Sequence, residues 1–288
     1  MSFYAPTYLE IAARRFRGKR LTKQFAPRSP IAVERSYERD LADIVKFIAS
    51  LIDVYLVREL PRLVSAQNWM RPQAVKADAP SDDVKSIMKN IRIRVEEKYT
   101  EQELARIAMR RGLDVSEHNK ETIGRNIKKV IGIDPLFADN SLNDELAAFS
   151  VSNVNLIESI PERALYDVQQ KVFLGFQNGS RAEDIAEDIQ KYIDPDSGNV
   201  RAKANLIARD QINKLNGQLT MLRQTDLGIE RYTWRTMQDE RVRDSHRVKE
   251  GKVYSWDKPP ADTGHPGEDI NCRCYAEPLL EDLLEPSE

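Results

Sequence analysis

Two cysteines and three histidines are all that the 288 residues hold, and twelve glycines with fourteen prolines fall into no repeat. So few cysteines exclude a disulfide-rich scaffold, and the glycine content excludes a collagen-like one. The most apolar stretch, Ile44 to Val57, is 14 residues long and carries Lys46 and Asp53. It falls short of the roughly 20 residues that cross a bilayer, so no membrane span is expected. No apolar core followed by small cleavage-site residues opens the chain, so no secretory signal is expected and the protein is placed in a cytoplasm. The length suits one large or two ordinary domains. Hydrophobic residues make up 41%, which predicts packed segments alongside solvated ones.

The net charge of −2 is a cancellation. Residues 1–30 hold Arg14, Arg15, Arg17, Lys19, Arg20, Lys23 and Arg28 against Glu10 alone, about +6, which leaves about −8 for the remainder. Phe16 and Phe25 interrupt this segment, and Pro27 and Pro30 close it. Such an arm is expected to be extended, and its cations suit a phosphate backbone or an acidic protein surface. The last twelve residues reverse the sign, with Glu277, Glu281, Asp282, Glu285 and Glu288 and no cation.

Between these ends the periodicity is helical. Tyr37, Leu41, Ile44, Ile48, Leu51 and Tyr55 recur at steps of four and three, predicting a long amphipathic helix that ends near Pro61. Ser81 with Asp82 and Asp83 is read as the start of a second helix, and Thr100 with Glu103 as the capping box of a third. Pro161 is read as the first turn of a later helix, and Ser180 with Glu183 as another capping box. A long helix is predicted from about Val200 to Gln224, capped by Gly228. Strand character follows in Ile229–Thr236, Lys252–Trp256 and Cys272–Glu277. The expected class is therefore α+β, a mainly helical body with a small C-terminal α+β module. The segments are an arm over 1–30, a helical body over 31–198, a long helix and module over 199–280, and an acidic tail over 281–288.

Chemistry concentrates between Trp234 and Cys274, which contains two of the three tryptophans, two of the three histidines and both cysteines. Cys272 and Cys274 are separated by one arginine, so a disulfide between them would close a very small, strained ring, and reduced thiols are expected. Three readings stay open. In the first, His246, His265, Cys272 and Cys274 form a Cys2His2 zinc site, with both thiolates facing one way from a strand. In the second the groups are structural without metal: His246 bonds a carboxylate such as Asp239 or Asp269, Arg241 and Arg273 pair with acids, and the cysteines pack. In the third, Asp239, His246 and Arg243 form a nuclease-like site. Trp234 and Trp256 are read as core anchors of the small sheet.

Trp234, Thr236, the run Asp239-Glu240-Arg241-Val242, His246, Gly251-Lys252 and Asn271-Cys272-Arg273-Cys274 together resemble the C-terminal domain of the phage Mu F-like minor head proteins. The preceding helix, with Ala208, Arg209, Asp210 and Asn213, resembles the helix before that domain. The resemblance covers about residues 200–280. It implies a non-enzymatic minor capsid protein of a double-stranded DNA tailed phage, acting in head morphogenesis and in genome packaging or ejection. It further implies a place in the virion head interior, assembly in the host cytoplasm, and the portal protein, a major capsid or scaffolding protein and packaged DNA as partners. The alternatives are a nucleic-acid-binding protein acting through the arm and a nuclease-like or toxin-related enzyme centred on Asp239 and His246.

Overall fold

The computed structural model describes residues 29–70, 79–132, 134–135 and 142–280. The cations from Arg14 to Arg28, Pro72, and the acids from Glu281 onward lie outside the described residues. Among the described residues eight helices run in the order α1 (Ile31–Tyr55), α2 (Leu60–Met70), α3 (Ala79–Lys98), α4 (Glu101–Ile131), α5 (Leu142–Asn178), α6 (Ala182–Ile193), α7 (Asn199–Asp226) and the one-turn α8 (Asp244–Arg247). Strand β1 (Arg231–Arg235) precedes α8, and β2 (Val253–Ser255) and β3 (Tyr275–Pro278) follow it. The mainly helical α+β class is the one expected. Among the described residues no helix is long and apolar enough to cross a membrane.

The described chain divides into two compact units, one built from residues 35–108 and 151–208, the other from residues up to 34, 109–150 and 209–280. In the first, the predicted stripe of α1 is buried at Tyr37, Leu41, Ile44, Ile48 and Leu51. The Tyr37 hydroxyl donates to Asn153 Oδ1 at 2.9 Å, both side chains having no solvent exposure. Pro61 does not end α1. That helix stops at Tyr55, a single 3-10 turn covers Val57–Glu59, and Pro61 lies in the first turn of α2, where its missing N–H has no partner to lose. α2 then packs on α3 and α6.

Two other expectations are corrected here. Pro161 lies inside the 37-residue α5 instead of opening a helix. Val154, Ile157, Ile160, Ala164, Leu165 and Val168 are buried on both sides of it, and this continuous apolar face outweighs the lost backbone bond. The Ser180–Glu183 capping box is not formed: Arg181 occupies the N-cap with no side-chain cap bond, and its guanidinium reaches Asp184. The Thr100 hydroxyl does accept the Glu103 amide, at 3.3 Å.

In the second unit, Arg223 on α7 is 1% exposed and donates to Asn119 Oδ1 at 2.5 Å and to Ser116 Oγ at 2.9 Å. Asn119 Nδ2 in turn donates to Asn216 Oδ1 and Thr220 Oγ1, so the network ties α4 to α7. α7 ends at Asp226 and is closed by Gly228, whose φ of 79° permits the paired bonds Gly228 N–H to Thr225 O and Ile229 N–H to Gln224 O.

The sheet that follows has the order β2-β1-β3, antiparallel throughout. Tyr232 faces Tyr254 on β2 and Pro278 on β3, and Trp234 faces Ala276. The strand period of two sends Tyr232 and Trp234 into the core, where Trp256 and Ala276 join them. Trp256 Nε1–H donates to Gln224 Oε1 at 3.2 Å, and Gln224 Nε2 donates to the Ala276 carbonyl at 3.1 Å, joining the sheet to the end of α7.

Candidate functional site

The loop before β3 carries the cysteines. Cys272 and Cys274 both precede the strand, which begins at Tyr275, so the expected strand alternation does not orient them. Anchors to α7 orient them instead. Asp210 Oδ1 accepts the Asn271 amide at 2.8 Å, and Asn271 takes φ 55°, a conformation asparagine tolerates better than most residues. One turn pair further along, Gly217 lets the loop close on the helix: a Cβ there would lie 2.7 Å from the Pro266 carbonyl oxygen. Gly267, at φ 99°, packs against the same helix and aims its amide at Cys272 Sγ, 3.4 Å away.

His246 reaches this loop from α8. Its ring is 3% exposed, with Nδ1 3.4 Å from Cys274 Sγ and 3.5 Å from Cys272 Sγ. The ligating atoms of the three residues all lie within 4.8 Å of one another. On the far side of the ring Nε2 meets Asp269 Oδ2 at 3.1 Å, and the same oxygen pairs with Arg243 Nη1 at 2.5 Å. A carboxylate can only accept, so Nε2 is the donor to Asp269 and Nδ1 is the ring nitrogen that faces the sulfurs. Trp234 packs edge-on against the imidazole, centroids 5.5 Å apart.

The two thiols ionise as a pair. A hydrogen bond from Cys274, and then the Gly267 amide, draw Cys272 down to about 6 against the opposing effect of burial. Cys274 is raised, first because it donates to Cys272 and then by burial. One negative charge is thus favoured in the pair, shared through the hydrogen bond between the sulfurs. Asp269 is held below the usual carboxylate range: burial opposes its ionisation, and the His246 and Arg243 interactions outweigh burial. The cluster faces a cavity of about 230 Å³ lined also by Arg209, Arg241, Arg243, Arg273 and Asn271.

The other residues singled out in the sequence fall elsewhere. His265 does not join the cysteines; its Nδ1 bonds the Tyr232 hydroxyl at 2.9 Å and its ring packs on Trp256, where burial lowers its pKa. Asp239 is exposed and pairs with Arg273 at 2.7 Å, so the carboxylate beside His246 is Asp269 and not Asp239. Glu240 and Arg241 are exposed in the same loop, with the Arg241 amide donating to Asp239 Oδ1. Gly251, at φ 74°, donates to the Trp234 carbonyl while Trp234 donates to Lys252. The preceding Glu250 accepts from the Thr236 amide and hydroxyl at 2.6 and 2.7 Å and from Arg235. Sequence reasoning named Asp210 only within the helix that resembles the one before the family domain, and Gln224 only as a helix end. Their partners lie 61 and 52 positions away, and no local pattern announces them.

Fold and site together define a helical protein with a three-stranded module whose thiol–imidazole cluster is pinned to the preceding helix. Residues 166–277 match the family model described as Phage Mu protein F like protein, so over this stretch the chain is similar to that family. A Haemophilus influenzae protein described as "Uncharacterized protein" is 40% identical over 167 residues, which is 57% of this chain and 36% of that protein. The chain therefore spans about a third of that relative's length. No solved structure matches the chain.

Proposed function

We propose that this protein is a non-catalytic minor head component of a double-stranded DNA tailed phage, acting in head morphogenesis beside the portal. The observation that carries the reading is the phage Mu F-like match over 166–277, which takes in α6, α7 and the whole sheet module. The design of the module supports an assembly role. Three of its acidic side chains hold loops in place: Asp210 on Asn271, Glu250 on Thr236, Asp239 on Arg273. Asp239 and His246, the pair a nuclease would need together, have separate partners. The basic segment Arg14–Lys23 supplies the charge for packaged DNA or an acidic portal surface. The working places are the head interior of the virion and, during assembly, the host cytoplasm.

The test is to disrupt the gene in a lysogen carrying it and examine the heads made on induction. The reading predicts that wild-type heads contain the protein in few copies, that it co-purifies with portal oligomers, and that heads made without it are malformed or non-infectious. Infectious heads in normal yield without the protein, and no trace of it in wild-type heads, would overturn the proposal.

A further inference from the structure

We propose that His246, Cys272 and Cys274 bind one zinc ion, with Asp269 orienting the imidazole from behind and the fourth coordination position open to the arginine-lined cavity. This stands on the geometry of the module and is independent of the head-assembly reading.

Four observations support it. The donor set is two sulfurs and one imidazole nitrogen, the borderline-soft combination that selects zinc over magnesium or calcium. Its sulfur–nitrogen spacing fits: a tetrahedral ion with zinc–sulfur and zinc–nitrogen bonds of about 2.3 and 2.0 Å separates sulfur from nitrogen by roughly 3.5 Å. The distances from His246 Nδ1 to the two sulfurs are 3.4 and 3.5 Å. The ring is oriented for ligation, because the Nε2–Asp269 contact reproduces the carboxylate–histidine–metal arrangement that fixes ring orientation in zinc sites. Finally, the Gly267 amide directed at Cys272 Sγ is the kind of N–H donor that stabilises a metal-bound thiolate.

The ligand set differs from the Cys2His2 reading of the sequence, since His265 is held by Tyr232 and lies outside the cluster. The three protein ligands also line the cavity with Arg209, Arg241, Arg243 and Arg273, so the fourth position faces solvent and cations rather than a fourth side chain. Water or a small anion completes the coordination. Metal binding here would add to the folding free energy of a sheet only three strands wide.

The experiment uses the full chain, purified from zinc-supplemented medium and gel-filtered without chelator, with zinc measured by mass spectrometry. Expected is one zinc per chain, lost in Cys272→Ser, Cys274→Ser and His246→Ala and retained in His265→Gln. Cobalt substitution should give the thiolate-to-metal charge-transfer band of two sulfur ligands. Because the cysteine variants risk misfolding, Asp269→Asn serves as the second probe: it keeps all three ligands and should weaken zinc affinity about 10- to 100-fold in a chelator competition. Wild-type protein without stoichiometric zinc would overturn the proposal, as would zinc that persists in both serine variants. Loss of zinc in a folded His265→Gln variant would overturn the three-residue ligand set, and unchanged affinity in Asp269→Asn would remove the orienting role.

Discussion

Asp210 on α7 and Asn271 in the cysteine loop are joined by a 2.8 Å bond from the Asn271 amide to the Asp210 carboxylate. Asp210 is 8% exposed, and its other oxygen pairs with Lys214 at 2.9 Å. Replacing Asp210 with alanine removes the acceptor from a part-buried amide and should destabilise the protein by about 1–3 kcal/mol. Urea denaturation followed by tryptophan fluorescence checks the value. Asp210→Glu should not rescue fully, since one added methylene displaces the carboxylate from a fixed backbone donor.

Gly217 makes a sharper test of the same junction. Gly217→Ala places a Cβ 2.7 Å from a backbone oxygen that cannot rotate away, whereas at Gly112 the nearest atoms are 3.2 Å away in the movable side chains of Leu146 and Phe149. The first substitution should cost about 1–3 kcal/mol and the second should be close to neutral. Thermal melts of the two variants side by side should separate them.

The buried Arg223–Asn119 pair predicts a loss of different chemistry. Asn119→Ala removes the acceptor of a guanidinium that is 1% exposed, together with donors to Asn216 and Thr220. Bonds to a charged group contribute about 1.5–3 kcal/mol each, and a loss of about 2 kcal/mol or more is expected. Asn119→Asp should recover part of it, measured by denaturant titration at neutral pH.

Acid should weaken the protein in a defined direction. Glu250 is held below the usual range because the Thr236 and Arg235 bonds outweigh the opposing burial, and Asp239 is lowered chiefly by the bond from Arg273. A carboxylate whose pKa is depressed on folding contributes fully above its unfolded value, about 4, and loses that contribution as the pH falls through the folded value. The contribution of these two carboxylates should therefore be fully present above about pH 4 and be lost below it. Glu250→Gln should flatten that acid limb in denaturation curves taken across the range.

What the sequence allowed a reader to see, and what it hid, follows from the range of the forces involved. The stripe from Tyr37 to Leu51 and the alternation of Tyr232 and Trp234 are local periodicities, and both face inward as read. The cysteines and His246 were legible as a candidate set because their residue types are scarce. His265 was drawn into the same set by type alone; its actual position depends on sheet register, which brings Tyr232 and Trp256 against it. Pro161 was misleading for a similar reason. A proline marks a helix start when nothing else is known, but the burial from Val154 to Val168 belongs to tertiary packing.

Among the described residues the small sheet has two open edges, β2 with three residues and β3 with four. Exposed edges invite further strands, but these are too short to template much pairing, and β3 ends on Pro278, which has no amide hydrogen to offer a newcomer. Pro278 also sits opposite the buried Tyr232, so a strand sliding past it would have to disturb the core. Both edges thus discourage edge-to-edge polymerisation of the module, so copies of this chain at high concentration should stay separate at the sheet.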